Sequence, residues 1–397
     1  MSERTNANGI TRRKLLRGSG AALAAGAATS AGCVGTLPLM GQRVRYGRVE
    51  TPARGDPDYR QWIPAPGELT GVDEPDDPGI DHLTYVEPGN TGVDAVGYEF
   101  DVTQSVQLSY LDYVGVDYED FDWVVTVNGG AVLAGDVDVD AVAAAVEGVY
   151  EADGSHAGYD LYARADEHRR ATIAVSEDAV VFAARPSEID DDAAPSDPPA
   201  HRENAMAFVD ADRGEVDRHH EVDPDFERAT EAVGSAPSVW FGPGLPVQQE
   251  DPFDADPLSS ALSYTFDDGA GYFVYDLVFP EGRAPSKSTV RSLVDNEERA
   301  LASAATEVTV DGRVVTVEIR LPEARLDQFG SDGRSKPPYV TWTATHDAEA
   351  RTVTITHRGG ESFDAGTVTA RYGTRGEKAD AQFADSYDTA AGSSASR

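Results

Sequence analysis

Asp136, Asp138, Asp140 and Glu147 are the first residues of this 397-residue chain whose spacing answers to a known chemistry, for they fall at positions 1, 3, 5 and 12 of a calcium-loop frame. The frame breaks at its sixth position, where Ala141 stands in place of the glycine that the sharp turn needs. Val139, Val142, Val146 and Val149 recur at i, i+3, i+7 and i+10, so the same stretch is claimed by an amphipathic helix. Asp138 is then expected as the helix cap and its neighbours as solvated acids, not as metal ligands. His219 and His220, flanked by Asp217 and Glu221, form a second candidate. Adjacent imidazoles cannot share one helix face and no third ligand follows at useful spacing, so a solvated loop is expected. His346 and His357 flank a predicted hairpin turn and are expected at exposed strand ends.

Other chemistry is missing at the level of motif. Beyond residue 33 there is no Gly-x-Ser-x-Gly, no His-Glu-x-x-His, no Gly-x-x-x-x-Gly-Lys and no dinucleotide-binding glycine pattern. A single cysteine, Cys33, rules out an intramolecular disulfide and any zinc or iron–sulfur site built on two thiolates. Catalytic residues, cofactor and metal are therefore all expected to be none. Trp62, Trp123, Trp240 and Trp342 fit strand cores or a domain edge.

The elements that would position such residues read as follows. Residues 33–82 are rich in Pro, Gly and Asp, show no period, and are expected to form a tether, with Trp62-Ile63-Pro64 docking its end on the first domain. A first folded unit, 83–250, opens at Tyr98-Glu99-Phe100. It continues with alternating Phe121, Trp123, Val125 and Val127, and turns at Asn128-Gly129 into Ala131-Val132-Leu133. A helix capped by Asp138 and short strands at 158–164, 172–175 and 180–183 follow. Helices are predicted at 203–213 and 224–233, the latter punctuated by Asp223, Pro224 and Gly234, then a strand at 238–241. A second unit, 251–330, repeats the order with strands around Leu262–Phe266 and Phe273–Phe279, a helix from about 285 to 302, and a hairpin across Asp311-Gly312. The expected fold is α+β: two antiparallel-sheet units of ββαββ order with helices on one face, plus a small C-terminal β-sandwich-like segment over 336–385 and a disordered tail over 386–397.

Charge excludes one class of partner. Lys+Arg number 33 against 70 Asp+Glu, a net charge of −37, and the only lysines are Lys14, Lys287, Lys336 and Lys378. A phosphate backbone would be repelled, so no nucleic acid is expected. Dense carboxylates with few lysines suit a protein bathed in molar salt, where the Debye length shrinks to about 3 Å and self-repulsion is screened.

The start of the chain carries an address. Thr11-Arg12-Arg13-Lys14-Leu15-Leu16-Arg17, followed by an Ala- and Gly-rich run to Gly32, resembles a twin-arginine export signal read through Arg12 and Arg13. The run is too short and too weakly apolar for a spanning helix, which needs about 20 apolar residues. Ser30-Ala31-Gly32-Cys33 resembles a lipobox, implying cleavage before Cys33 and lipid on its thiol. Removal of 1–32 leaves 28 Lys+Arg against 69 Asp+Glu, a net charge of −41. Together with Trp62-Ile63-Pro64, the leader and the composition make the chain similar to twin-arginine-exported lipoproteins of halophilic archaea. Near the C-terminus, Thr354–Gly360 and Phe363-Asp364-Ala365-Gly366 resemble a strand pair in the head domains of haloarchaeal pilin-like proteins, although the long apolar assembly helix of a pilin is replaced here by the leader. The resemblance implies localisation on the outer face of the cytoplasmic membrane, anchored by lipid on Cys33. The reading that follows is a non-enzymatic cell-surface protein binding an envelope protein or a small ligand; the alternative is an exported hydrolase whose site is scattered over loops. A solute-binding lipoprotein would need alternating βαβ lobes, and too few helices are predicted for that.

Overall fold

A computed structural model describes residues 44–70, 83–90, 111–127, 129–165, 170–184, 198–242, 253, 255–267, 269–296, 303–322, 340–347, 352–360, 369–372, 379–382 and 393–396. The export residues Arg12 and Arg13, Cys33, and the predicted strand at Tyr98–Phe100 lie outside the described residues. In chain order come β1 (Leu83–Val86), the hairpin β2 (Trp123–Val127) and β3 (Gly130–Ala134), then helix α1 (Val139–Val146). Next are β4 (Glu151–His156), β5 (Tyr159–Ala165), β6 (Arg170–Val175) and β7 (Ala179–Ala183). Three helices follow, α2 (Pro198–Arg213), the single turn α3 (His219–Val222) and α4 (Pro224–Val233), then β8 (Ser238–Gly242). The second half holds β9 (Ser259–Asp267), β10 (Ala270–Val278), α5 (Lys287–Val294), β11 (Ala305–Asp311) and β12 (Val314–Pro322). Last come β13 (Val340–Asp347), β14 (Thr352–Gly360), β15 (Thr369–Tyr372), β16 (Ala379–Gln382) and β17 (Ser393–Ser396).

The fold is α+β, and its centre is one antiparallel sheet of twelve strands in the order β11-β12-β10-β9-β8-β1-β2-β3-β7-β6-β5-β4. The expectation of two separate sheets is corrected at β8, which pairs with β1 on one side and β9 on the other, so one ladder runs through both predicted units. Register separates the side chains into two faces. On the first, Tyr85, Val125, Val132, Val181, Val239 and Val278 meet Phe208 and Val209 of α2 and Phe226, Ala229 and Val233 of α4. On the second, Val124, Leu133 and Val180 meet Val142 and Val146 of α1, while Phe273, Leu277 and Val317 meet Val290 and Val294 of α5. Helices therefore cover both faces, not one. The cause is that β2, β3, β6, β7 and β10 are apolar at odd and even positions alike, and a strand buried on both sides needs cover on both. Where α2 crosses β3, only glycine fits at 130: a Cβ there would lie 2.6 Å from the Phe208 ring.

The segment expected as a tether is built into the body from residue 44 to residue 70. Tyr46 bridges Thr306 at the β11 edge of the sheet while its ring neighbours α5. The chain then crosses the first face, where Val49 packs with Ala270 and Tyr272, Gly55 bridges Ser235, and Pro64 bridges Arg218. Short 3-10 turns at Asp58–Trp62 and Pro66–Glu68 lower Tyr59, Trp62, Ile63 and Leu69 into the core with α2 and α4. We call residues 44–70 the strap. Each of those large side chains contributes about 1.5–3 kcal/mol on full burial. Proline-rich, aperiodic chain reads as linker because it forms no regular element, yet its apolar residues are buried one at a time.

Outside the large sheet, β13, β14 and β17 form a three-stranded sheet and β15 pairs with β16. Within the stretch expected as a disordered tail, 386–397, the described residues Ser393–Ser396 pair with β14.

Candidate functional site

Three polar clusters lie within this frame, two around buried carboxyls and one at the exposed β4 edge. The first lies where the strap crosses β10 and β12. Asp276 sits between Ala261 of β9 and Thr316 of β12, on the face that the strap covers, and is 1 % exposed. Its Oδ1 accepts from the Thr316 hydroxyl at 2.5 Å, and its Oδ2 has no partner. Two residues further along β12, Glu318 Oε1 accepts from Thr51 Oγ1 at 2.9 Å and from Arg54 Nη2 at 3.4 Å. Arg54 also donates through Nη1 to the carbonyl of Ala232 near the end of α4. On β11, Glu307 accepts from the amide of Val49 at 2.9 Å. Burial is the main influence on Asp276 and, with a smaller contribution from Glu318, outweighs Thr316 and Arg54, raising its pKa to about 6. The seam thus holds a carboxyl able to keep or release a proton near neutrality.

A second cluster fastens the C-terminal hairpin. Asp112 Oδ2 accepts from Tyr150 at 2.6 Å and from Arg164 Nη1 at 2.8 Å, while Arg164 Nη2 donates to the carbonyl of Trp342 on β13 at 2.6 Å. The amide of Tyr113 donates to Thr341 Oγ1 at 2.6 Å. Asp112 and Arg164 are both almost fully buried, so each neutralises a charge that would otherwise be stranded. His357 belongs to this region: it pairs in register with Trp342, with ring centroids 5.4 Å apart, and is buried rather than at the exposed strand end expected for it. Desolvation lowers its pKa. His346 lies on β13 opposite Val353, away from His357 in the register.

The third cluster sits by β4. His156 Nε2 is 2.6 Å from Asp210 Oδ1 of α2, and Arg202 Nε donates to Asp153 at 3.0 Å. An imidazole with an orienting carboxylate is two-thirds of a nucleophile-activating arrangement, but no side-chain hydroxyl among the described residues is bonded to His156.

The candidates singled out in the sequence are dispersed. Asp138 caps α1 by accepting from the amide of Ala141, and Glu147 ends the same helix, which separates the carboxylates of the calcium frame. His219, expected in a solvated loop, is buried in α3; its ring stacks on Phe226 at 4.0 Å, with Nε2 3.4 Å from Asp223. That His219 contact is the largest influence holding Asp223 below the usual carboxylate range, with help from the amides of Phe226 and Asp225. Burial, then Arg60, lowers His220. Among the described residues no group of three or more His, Cys, Asp or Glu is placed to hold a metal ion. The seam's one sequence signal is Asp276 itself, an acid flanked at i±2 by Val274 and Val278 on a strand apolar on both sides.

No family model matches the chain, and no curated protein matches it. Among solved structures it is similar to crystal form I of TP0453, with a TM-score of 0.39 and 12 % identity over 70 % of this chain and 97 % of that one. Crystal form III of TP0453 gives a TM-score of 0.38 and 10 % identity over the same shares. Agreement this coarse carries no function from one protein to the other.

Proposed function

We propose that the chain is a non-enzymatic, lipid-anchored protein of the outer face of a haloarchaeal cell membrane, exported through Arg12 and Arg13 and held by lipid on Cys33, where it serves as an envelope binding module. The observation that carries the reading is that the chain's one cysteine stands directly after Ser30-Ala31-Gly32 and a twin-arginine leader. Among the described residues no helix is long and apolar enough to cross a membrane. The polar clusters tie remote parts of the chain to one another, as Thr51 and Arg54 do with Glu318 and Arg164 with Asp112. In this reading β2-β3-α1-β4-β5 and β9-β10-α5-β11-β12 are two copies of a ββαββ plan, each laying its helix on the second face. The test is Cys33→Ser: the variant should leave the membrane fraction for the soluble one, and unchanged membrane recovery overturns the anchor.

The His156–Asp210 contact favours one second reading, an exported hydrolase. It predicts that His156→Ala abolishes a hydrolytic activity of the purified protein, and the absence of any such activity against ester, peptide and glycoside substrates excludes it.

A further inference from the structure

The strap starts at one end of the sheet, and that end differs in charge from the other. Val44 packs against Val290 and Val294 of α5, Tyr46 donates to the carbonyl of Arg291 at 3.0 Å, and the Arg291 guanidinium lies 4.3 Å from the Tyr46 ring centroid. Thr306 of edge strand β11 bonds the backbone of Arg45 and Gly47. Residues 44–49 and 282–294 thus share one edge, and these nineteen residues hold Arg45, Arg48, Arg283, Lys287 and Arg291 with no Asp or Glu. In a chain where acids outnumber bases two to one, such a composition is a local inversion. Glu50, Glu281 and Asp295 border it, Glu307 and Asp311 lie beside it on β11, and Asp295 Oδ1 shares the Tyr46 hydroxyl proton with the Arg291 carbonyl at 3.0 Å. Arg45, Arg48 and Lys287 are exposed. Eleven strand intervals away, at about 4.8 Å each and so about 50 Å measured along the sheet, β4 carries Glu151 and Asp153 and the start of β5 carries Asp160; no Lys or Arg occurs from 151 to 160, and Arg202 of α2 is paired with Asp153.

We infer that the 44–49 and α5 edge lies on the membrane surface, its cations against anionic phospholipid headgroups, with the acidic β4 edge held farthest away. The inference rests on the lipid reading of Cys33, for it is the chain next to Cys33 that enters the fold here. Eleven residue steps separate Cys33 from Val44, so fully extended chain places this edge within about 40 Å of the acyl attachment, whatever path the chain takes. Juxtamembrane cations are drawn to anionic headgroups and acids are repelled by them. In molar salt only groups in contact with phosphate feel this, which selects the exposed Arg45, Arg48 and Lys287 over more distant charges.

The test uses full-length lipidated protein on phosphatidylglycerol vesicles, with a fluorophore at Ser288→Cys in α5 or at Ser155→Cys in β4, and an acceptor dye on the headgroups. The α5 label should be quenched several times more than the β4 label. In Arg45→Glu, Arg48→Glu, Lys287→Glu protein that difference should collapse while the protein still pellets with the vesicles through Cys33. Equal quenching of the two labels on pelleted wild-type protein overturns the orientation and leaves the anchor standing. Failure of wild-type protein to pellet overturns the anchor and this inference with it.

Discussion

Replacing Asp276 with Asn should flatten one component of the pH dependence of stability, and its size follows from the seam. The carboxyl is buried between β9 and β12 on the face where α4 packs against β9 and β10, with Thr316 donating to one oxygen, Arg54 and Glu318 the charges that act on it, and the other oxygen without a partner. Its folded-state pKa, about 6, lies above the ordinary 3.8. A raised carboxyl favours the folded state in its protonated form. Its contribution is complete below about pH 4 and is lost as pH rises through about 6. Two pH units at about 1.4 kcal/mol each amount to about 3 kcal/mol. Asn keeps the shape and an oxygen to accept from Thr316, yet cannot ionise. The variant should therefore match wild type at pH 4 and exceed it by about 3 kcal/mol at pH 8. The assay is urea unfolding followed by circular dichroism in constant molar KCl, taken in half-unit steps. Only the difference between the two proteins is read, because the remaining carboxylates titrate in both. A difference independent of pH, or one of opposite sign, would refute the reasoning.

Ile63→Ala should cost about 2–5 kcal/mol in the same unfolding assay, because Ile63 is fully buried in the strap, whereas a solvated tether would lose less than about 0.5 kcal/mol. Arg164→Met should destabilise by about 3–5 kcal/mol by stranding the Asp112 charge. Adding Asp112→Leu should recover part of that loss; strictly additive effects in the double-mutant cycle would show that the pair is not coupled. Asp223→Ala removes the cap that accepts from the amides of Asp225 and Phe226, and should cost about 0.5–2 kcal/mol. Because the Asp223 pKa is lowered, that cost should be present near neutrality and vanish as pH falls below the ordinary carboxylate range.

Local punctuation was legible in the sequence. Helix α4 occupies 224–233 with Asp223 as cap and Gly234 as stop, and Gly234 adopts a φ of 60° while an added Cβ would meet the Gly55 carbonyl at 2.6 Å. The hairpins β2–β3 and β11–β12 lie where their Asn-Gly and Asp-Gly turns put them. Helix α2 begins at 198, five residues before the predicted 203, and α5 runs over 287–294, inside the predicted 285–302. β4 was missed because Glu151–His156 has no apolar alternation: it is an exposed edge strand with a register shift. What sequence could not give was distance-spanning pairing. Nothing local in Ser238–Gly242 says that it joins two halves, and nothing near Arg54 names Glu318 as its partner. The clusters built from Asp276 and from Asp112 with Arg164 were invisible for the same reason, each drawing its members from remote elements.

The strap also dictates an order of events in time. Tyr46, Val49 and Thr51 find their partners 245, 258 and 267 residues further along the chain, at Arg291, Glu307 and Glu318. Emerging first from the ribosome, this segment must wait until β11 and β12 have been synthesised before it can close over the sheet. A chain threaded outward as it is made would therefore leave with its first turns unseated, so maturation should finish only after translation is complete.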